Sequence, residues 1–231
     1  MDDRTTKARI LDRGYQLAGL YGLESLTIGR LAGELAMSKA GVYGHFGSKQ
    51  ALQLQTVRYA RARFLQDVIT PAGAAPDGVP RLWAMCAAVL SYSAETGLHG
   101  GDFWVTVFHE YAYRSGPVRD AVEATMNWWM RQLEDLISAG ITLGQLAPCE
   151  PVQLAFEIQA LLGAGSHQYR LRRDPQAIAR ARTAVRQRLE SVRAPRFPAL
   201  AETSPAAAGG NGQPPAGGQP RQRTGPRTSQ P

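Results

Sequence analysis

The chain of 231 residues lacks several features that would place it outside the cell or in a membrane. Its two cysteines, Cys86 and Cys149, are too few and too isolated for a disulfide framework or a metal cluster, so we interpret both as reduced thiols. No apolar run approaches the roughly 20 residues that a membrane-spanning helix needs. The amino-terminal segment MDDRTTKARI holds acids and no apolar core, unlike a signal peptide. These absences predict a soluble, cytoplasmic protein with no membrane partner.

Motifs for catalysis and cofactor binding are also missing. His109-Glu110 begins the pattern of a zinc protease, but Tyr113 stands where the second histidine is needed. Gly163-Ala164-Gly165 lacks the preceding strand and the third glycine of a dinucleotide site, so we interpret it as close helix packing, within the chain or across a dimer. We predict no metal, no cofactor and no enzyme activity. A helical enzyme is the weakest alternative, because spatial constellations are invisible in a sequence.

Positive charge is concentrated at the two ends of the chain. Residues 1–70 carry ten Lys and Arg against six Asp and Glu, residues 71–193 carry twelve of each sign, and residues 194–231 carry four Arg and one Glu. A basic amino-terminal part favours nucleic acid as a partner. Arg170 and its neighbours Arg172 and Arg173 are interpreted as a solvated helix end, where cations complement the helix dipole, and not as a second nucleic-acid patch.

The apolar residues recur at helical spacing, and no segment alternates as a strand does. In the first predicted helix, Ile10, Leu17 and Tyr21 share one face, and Gly22 ends the helix. The pattern predicts an all-α fold. The predicted helices cover residues 4–20, 28–35, 39–44, 49–69, 79–96, 103–113, 117–139, 151–172 and 175–192.

The sequence divides into three parts. After Ala194 the composition changes to Pro, Gly, Ala, Ser and Gln, which cannot bury enough apolar surface to offset chain entropy. We predict a helix-turn-helix DNA-binding domain at 1–48, a larger helical ligand-binding and dimerisation domain at 49–193, and a disordered tail at 194–231.

The segment LTIGRLAGELAMSKAGVYGHFGSKQAL, residues 26–52, has the layout of two short helices joined by a tight turn and followed by a third helix. Ser38 is placed to cap the second of these helices, whose first residues are small or cationic and can approach a phosphate-lined groove. Hydrogen-bond donors follow the cap. The residues predicted to contact DNA are Thr27, Ser38, Lys39, Ala40, Gly41, Tyr43, His45 and Lys49, against the alternative of an ordinary polar helix surface.

The first helix, this segment, the long fourth helix and the all-helical remainder together resemble the TetR family of bacterial transcriptional regulators. The pattern Ser-Lys-x-Gly-x-Tyr-x-His-Phe-x-Ser-Lys is the most specific part of the resemblance. The resemblance implies a homodimer whose helical body binds a small molecule and thereby releases DNA. It also implies that Thr27 touches phosphate, that Ser38, Lys39 and Ala40 form the reading end, and that the later donors meet the sugar-phosphate backbone.

Two positions depart from the family pattern. Ala36 stands in the turn where the family often has glycine, and alanine adopts a left-handed conformation at a cost of about 1 kcal/mol. We therefore expect a slightly different turn. Asp102 stands where a subgroup of the family often has cysteine, and no ligand is carried over to it.

Aromatic residues are concentrated in the middle of the chain, and all four tryptophans lie between residues 83 and 129. Adjacent Trp128 and Trp129 point about 100° apart on a helix, so both cannot face one seam of the core. An aromatic cavity with a few polar groups is the usual form of a small-molecule site, whereas packed core is the alternative. The predicted ligand-binding residues are Trp83, Tyr92, Trp104, Phe108, His109 and Trp128.

These observations predict a DNA-binding transcriptional regulator, most simply a repressor released from a palindromic operator by a small-molecule effector. The predicted helices at 117–139 and 151–172 are long and apolar on one side, which makes them the candidates for a homodimer seam. The alternative is a constitutive regulator whose helical body serves only dimerisation.

Overall fold

A computed structural model describes residues 3–99 and 102–200, and over these residues the protein is helical, with no strand beyond one isolated bridge between Leu146 and Arg193. The predicted all-α fold is confirmed. A 3-10 turn, Leu23–Ser25, follows the first helix, and a π-helical turn, Leu65–Ile69, follows the fourth. The α-helices are α1 (Asp3–Tyr21), α2 (Ile28–Glu34), α3 (Lys39–Phe46), α4 (Lys49–Phe64), α5 (Thr70–Ala72), α6 (Val79–His99), α7 (Phe103–Tyr111), α8 (Pro117–Thr142), α9 (Pro151–Arg172) and α10 (Gln176–Ser191).

Helices α1 to α3 form the helix-turn-helix unit. Ile10, Leu31 and Val42, one from each helix, are fully buried, so the three helices share a core. The turn between α2 and α3 contains Ala36 at φ 53°, a left-handed conformation. The chain thus adopts a left-handed turn despite the missing glycine, and the expected cost falls on Ala36.

Three short-range caps set where the helices of this unit begin. The hydroxyls of Thr27, Ser38 and Ser48 each accept a hydrogen bond, at 3.0 Å, from the backbone amide three residues later. Each cap satisfies a backbone donor that the first helical turn leaves without a partner. The predicted starts of α2, α3 and α4 are therefore confirmed.

Helix α4 is shorter than the sequence predicted. The predicted continuous helix to residue 69 was wrong, because regular α-helix ends at Phe64 and the chain continues as the π-helical turn into α5. Pro71 has no amide hydrogen, and its ring excludes a normal α-helical approach to the preceding turn. The wider turn, in which Thr70 N bonds to Leu65 O, lies directly before that proline.

Helices α6 to α10 form the helical body, in which α9 packs closely on α10. Gly165 of α9 faces Ala181 of α10 so closely that a Cβ atom at position 165 would overlap that of Ala181. Gly163, two residues earlier, has no atom within 4 Å of such a position. The expected close packing of the Gly163-Ala164-Gly165 segment is therefore found at Gly165, within the chain.

The predicted start of the disordered tail at residue 194 was wrong. Ala194 N donates to Gln145 O at 3.0 Å, Leu200 N donates to Glu190 Oε1 at 2.7 Å, and Phe197 packs against the core. The residues after α10 therefore run along the end of the body. The remainder of the predicted tail, residues 201–231, lies outside the described residues.

Two further expectations concern membranes and cysteines. In the described part of the chain, no helix combines the length and the apolar character needed to cross a bilayer. Cys86 and Cys149 are both free thiols, as predicted. Burial raises the pKa of Cys86 to about 12, which keeps this thiol protonated.

We predict opposite effects for alanine at the two glycines of α9. Gly165→Ala should lower the free energy of unfolding by about 1–3 kcal/mol, because the added methyl overpacks the contact with Ala181. Gly163→Ala should raise it by up to about 1 kcal/mol, because alanine is the better helix former. Urea unfolding at one fixed protein concentration measures both, and a neutral Gly165→Ala variant would contradict the packing.

Candidate DNA interface and ligand cavity

The amino-terminal end of α3 is exposed and carries small side chains. A Cβ atom at Gly41 would lie 3.1 Å from the Ser38 hydroxyl oxygen, so glycine leaves room for the cap. Lys39 and Ala40 are exposed beside it. Because the amides of a helix start carry partial positive charge, this end suits a phosphate or another anion.

The starts of α2 and α3 are adjacent. A Cβ atom on Gly29 would lie 3.4 Å from Lys39 Cε, which brings the exposed cap Thr27 to the same region as the start of α3. Further along α3, Tyr43 is 57% exposed, whereas His45 is half-buried and packs edge-on against Phe46. The structure therefore groups the predicted residues on one face, and their contact with DNA stays a prediction.

Lys49 is engaged within the protein. Its Nζ donates to Glu24 Oε2 at 2.8 Å, and Glu24 also accepts from Tyr111 Oη and from Gln53 Nε2. The hydrogen bond from Lys49, with those from Tyr111 and Gln53, lowers the pKa of Glu24 to about 2. Lys49 thus offers a phosphate less net charge than Lys39, for which no internal acid partner is found among the described residues.

An aromatic cavity lies between α4, α6, α7, α8 and α9. Its open space totals about 570 Å³ including the mouth, of which about 70 Å³ admits the centre of a water molecule. Six aromatic side chains dominate its wall. The cavity is lined by Phe64, Val89, Tyr92, Ser93, Asp102, Trp104, Val105, Phe108, Thr125, Trp128, Trp129, Gln159, Leu162, Gly163 and Ser166.

Four of the six predicted ligand residues line this cavity, namely Tyr92, Trp104, Phe108 and Trp128. Trp83 is buried elsewhere in the core, because it lies nine residues before Tyr92 on α6. His109 also lies outside the wall, on the exposed side of α7, where its ring stacks on His167 at a centroid distance of 5.9 Å.

Sequence reasoning missed several members of the wall. Phe64 comes from α4 and meets the rings of Tyr92 and Trp129 edge to face. Trp129 also lines the cavity, and its Nε1 donates to Gln159 Oε1 at 2.6 Å. Trp128 and Trp129 both reach the cavity although they point apart, because Trp129 is buried and Trp128 is half-buried at its edge.

A buried polar cluster forms part of the wall. Asp102 Oδ1 caps α7 by accepting from Trp104 N at 3.1 Å and Val105 N at 3.3 Å. Asp102 Oδ2 accepts from Ser93 Oγ at 2.6 Å, and Ser93 in turn accepts from Ser166. The position where the family pattern often has cysteine therefore anchors the start of α7 to α6 and α9.

The other end of α7 binds the helix-turn-helix unit. Glu110 accepts hydrogen bonds from Leu23 N at 2.6 Å and from Glu24 N at 3.0 Å, at the 3-10 turn that follows α1. Tyr111, the next residue, donates to Glu24 at 2.9 Å. Helix α7 therefore contacts the cavity with its first turns and the helix-turn-helix unit with its last.

Arg170 adds a second connection, and its interpretation as a solvated helix end was wrong. Its guanidinium is partly buried and donates to Gly19 O of α1, to Thr106 Oγ1 of α7 and to Asp102 O. Thr106 also donates to Gly19 O at 2.8 Å. The carbonyl of Gly19 is thus held by both α7 and α9, because the fold brings the end of α9 against α1.

A third connection passes through two buried tyrosines. The hydroxyls of Tyr15 on α1 and Tyr92 in the cavity wall share a short hydrogen bond. Burial raises the pKa of both phenols, so both stay neutral. The cavity wall and α1 are therefore joined directly.

Helix α9 exposes a stripe of apolar residues. Phe156 is 63% exposed and Leu171 is 73% exposed, and the residues between them at helical spacing are small. An isolated apolar side chain on a surface is ordinary, but a continuous row on one helix indicates a covered surface. The α9 stripe comprises Val152, Phe156, Ala160, Ala164 and Leu171.

Two family models match the chain. Residues 10–56 match bacterial regulatory proteins of the tetR family, and residues 78–185 match a tetracyclin repressor-like, C-terminal domain. The chain belongs to the TetR family. It is a transcriptional regulator with a helix-turn-helix DNA-binding domain, and this family is not a family of enzymes.

Solved structures share the fold of this TetR-family protein. A TetR regulator from Chloroflexus aurantiacus J-10-FL is 23% identical with a TM-score of 0.73, and covers 83% of this chain and 98% of its own. One from Agrobacterium tumefaciens is 20% identical with a TM-score of 0.71, covering 83% and 100%. AibR, solved with isovaleryl coenzyme A and operator DNA, is 22% identical with a TM-score of 0.63, covering 78% and 97%. No curated protein matches the sequence.

The Glu24–Lys49 ion pair predicts a pH dependence of stability. Because the pKa of Glu24 is lowered on folding from its ordinary value of 4.5 to about 2, its stabilising contribution is complete above pH 4.5 and is lost as the pH falls toward 2. Glu24→Gln and Lys49→Met should each flatten the dependence of unfolding free energy on pH in that window. If Lys49→Met unfolds in acid with the same pH dependence as the wild type, the ion pair is not the cause.

Proposed function

We propose that this TetR-family protein is a homodimeric repressor that binds a palindromic operator through α3 and leaves it when a small molecule fills the aromatic cavity. One observation carries the proposal: α7 forms part of the cavity wall at one end and holds the helix-turn-helix unit through Glu110 at the other. In this proposal residues 1–48 read DNA and residues 49–193 bind the effector and the second subunit, in the cytoplasm.

The exposed start of α3 is the proposed reading end. Lys39 and Ala40 stand there without larger side chains in front of them, and the cap leaves further backbone amides directed along the helix axis. Lysine can reach guanine edges, and an alanine methyl can contact thymine. Tyr43, Thr27 and His45 are assigned to phosphate and sugar contacts, which position the helix without reading sequence.

The α9 stripe is the proposed dimer surface, together with neighbouring residues of α8. A stripe that ends in Phe156 and Leu171 stays exposed in one subunit, whereas in a two-fold pair the same surface covers itself. Two copies of α3 related by this axis would enter major grooves about 34–36 Å apart or somewhat more, which requires a palindromic site.

Release of DNA requires that the effector bind one arrangement of the subunit better than the other. Filling the cavity would press on Trp104 and Phe108 of α7 and on Phe64 of α4, and both helices contact the helix-turn-helix unit. The two copies of α3 would then be spaced wrongly for the operator. AibR, with its acyl coenzyme A and operator DNA, supports an effector-controlled DNA complex on this fold.

Substitutions on α3 test the DNA interface. Tyr43→Ala should weaken binding to the DNA flanking the gene for all sequences alike, by about 1 kcal/mol as for a typical lost hydrogen bond. Lys39→Gln should also reduce the slope of log affinity against log salt by about 0.9. The matched control is Tyr113→Ala, because Tyr113 is 99% exposed and lies beyond α7. Fluorescence anisotropy measures all three, and unchanged affinity in Tyr43→Ala and Lys39→Gln would remove α3 from the interface.

A charge in the α9 stripe tests the dimer. Phe156→Glu should convert the protein to a monomer in analytical ultracentrifugation, because two carboxylates would face each other across the two-fold axis. Tyr113→Glu, an equally exposed aromatic position away from the stripe, should stay dimeric. A dimeric Phe156→Glu variant, or a monomeric wild type, would contradict this interface.

A further inference from the structure

The indole N–H of Trp104 is a buried donor without an acceptor. Trp104 is only 7% exposed and lines the cavity, yet its Nε1 has no hydrogen-bond partner among the described residues. The ring cannot turn away easily, because it stacks on Phe108 at 5.3 Å and meets Phe103 edge to face at 4.9 Å. A buried N–H group that stays unpaired is unfavourable, which marks this atom for an added acceptor.

The other polar groups of the wall already have partners within the protein. Asp102, Ser93 and Ser166 bond to one another, and Thr125 Oγ1 donates to Ala121 O at 2.9 Å. The indole of Trp129 is satisfied by Gln159. A compound in the cavity therefore needs to supply one acceptor, and the rest of its surface meets aromatic and aliphatic side chains.

The charges around the cavity disfavour an ionic compound. An anion would lie beside the Asp102 carboxylate in apolar surroundings, where like charges repel strongly. For a cation, the natural place is an aromatic face, but the guanidinium of Arg61 already lies 4.7 Å from the ring centroid of Trp128. The faces of Trp104 and Phe108 cover each other.

The space available limits the size of the compound. About 70 Å³ admits the centre of a water molecule, several times the roughly 10–15 Å³ that one water needs in the same measure. This is room for a single ring with a small substituent, without large movement of the wall.

We infer that the cavity binds a small uncharged compound, one ring or a similar apolar frame, whose single carbonyl or similar oxygen accepts a hydrogen bond from Trp104 Nε1. This inference rests on the proposed function, in which the cavity is the effector site, and it names the chemical class of that effector. Trp104 is the residue that distinguishes this class from plain hydrocarbons of the same shape.

Four planar compounds of nearly equal size separate the possibilities. Acetophenone carries the carbonyl acceptor, α-methylstyrene replaces that oxygen by a CH₂ group, benzoate is the anion and benzamidinium is the cation. Dissociation constants from isothermal titration calorimetry and tryptophan fluorescence on the full chain should rank acetophenone first, about two- to tenfold tighter than α-methylstyrene. Tighter binding of either ion, equal binding of the two neutral compounds, or no binding of any compound would overturn the inference.

Two matched variants assign the preference to the indole. In Trp104→Phe the stacked ring remains and the donor is lost, so acetophenone and α-methylstyrene should bind equally. Trp83→Phe removes an indole that lies outside the cavity and should keep the preference. Thermal unfolding of both variants checks that they fold, and a preference that persists in folded Trp104→Phe would refute the role of Trp104.

The result is separable from the proposed function, because binding is measured without DNA. If acetophenone binds with the predicted preference and the protein never binds the DNA flanking its gene, the repressor proposal fails and this inference stands. If the protein binds that DNA and none of the four compounds, the inference fails alone.

Discussion

The carboxylate of Glu110 accepts two backbone hydrogen bonds from the turn that follows α1, and the relation between cavity and helix-turn-helix unit depends on this contact. The opposite end of the same helix is capped by Asp102 inside the cavity wall. Nine residues, about 13 Å of helix, therefore join the two regions. Because both ends are held by charge-assisted hydrogen bonds, a shift of α7 at one end has to be accommodated at the other.

Helix α4 gives the same two regions a second mechanical link. It starts at the Ser48 cap directly after α3 and reaches the cavity with Phe64, just before the π-helical turn. Arg61, one turn earlier, lies over Trp128 of the wall. The helix-turn-helix unit is thus attached to the cavity through α4 and α7, and effector control requires only that the two arrangements of these helices differ in their affinity for the effector. The α9 stripe supplies the remaining requirement, a surface that fixes two such units in one pair.

Local signals in the sequence were sufficient for the helices and their caps. Ser38 and Ser48 are caps because a hydroxyl three residues before a free amide needs no distant partner, and the same holds for Thr27. Contacts between distant residues were not predictable in this way. Phe64 reached the cavity and Arg170 reached Gly19 only because the fold brings α4 and α9 there. Composition also misled the interpretation of residues 194–200, whose backbone finds partners at Gln145 and Glu190.

The most direct test of the account is amide hydrogen exchange at Leu23 and Glu24, the two donors to Glu110. When the cavity is saturated with a compound shown by calorimetry to occupy it, exchange at these amides should accelerate by about tenfold or more, equivalent to about 1.4 kcal/mol of weakened protection. Amides in the middle of α10, around Val185, should exchange as before. Unchanged exchange at Leu23 and Glu24 in the saturated protein would show that the cavity and the helix-turn-helix unit are not connected through α7.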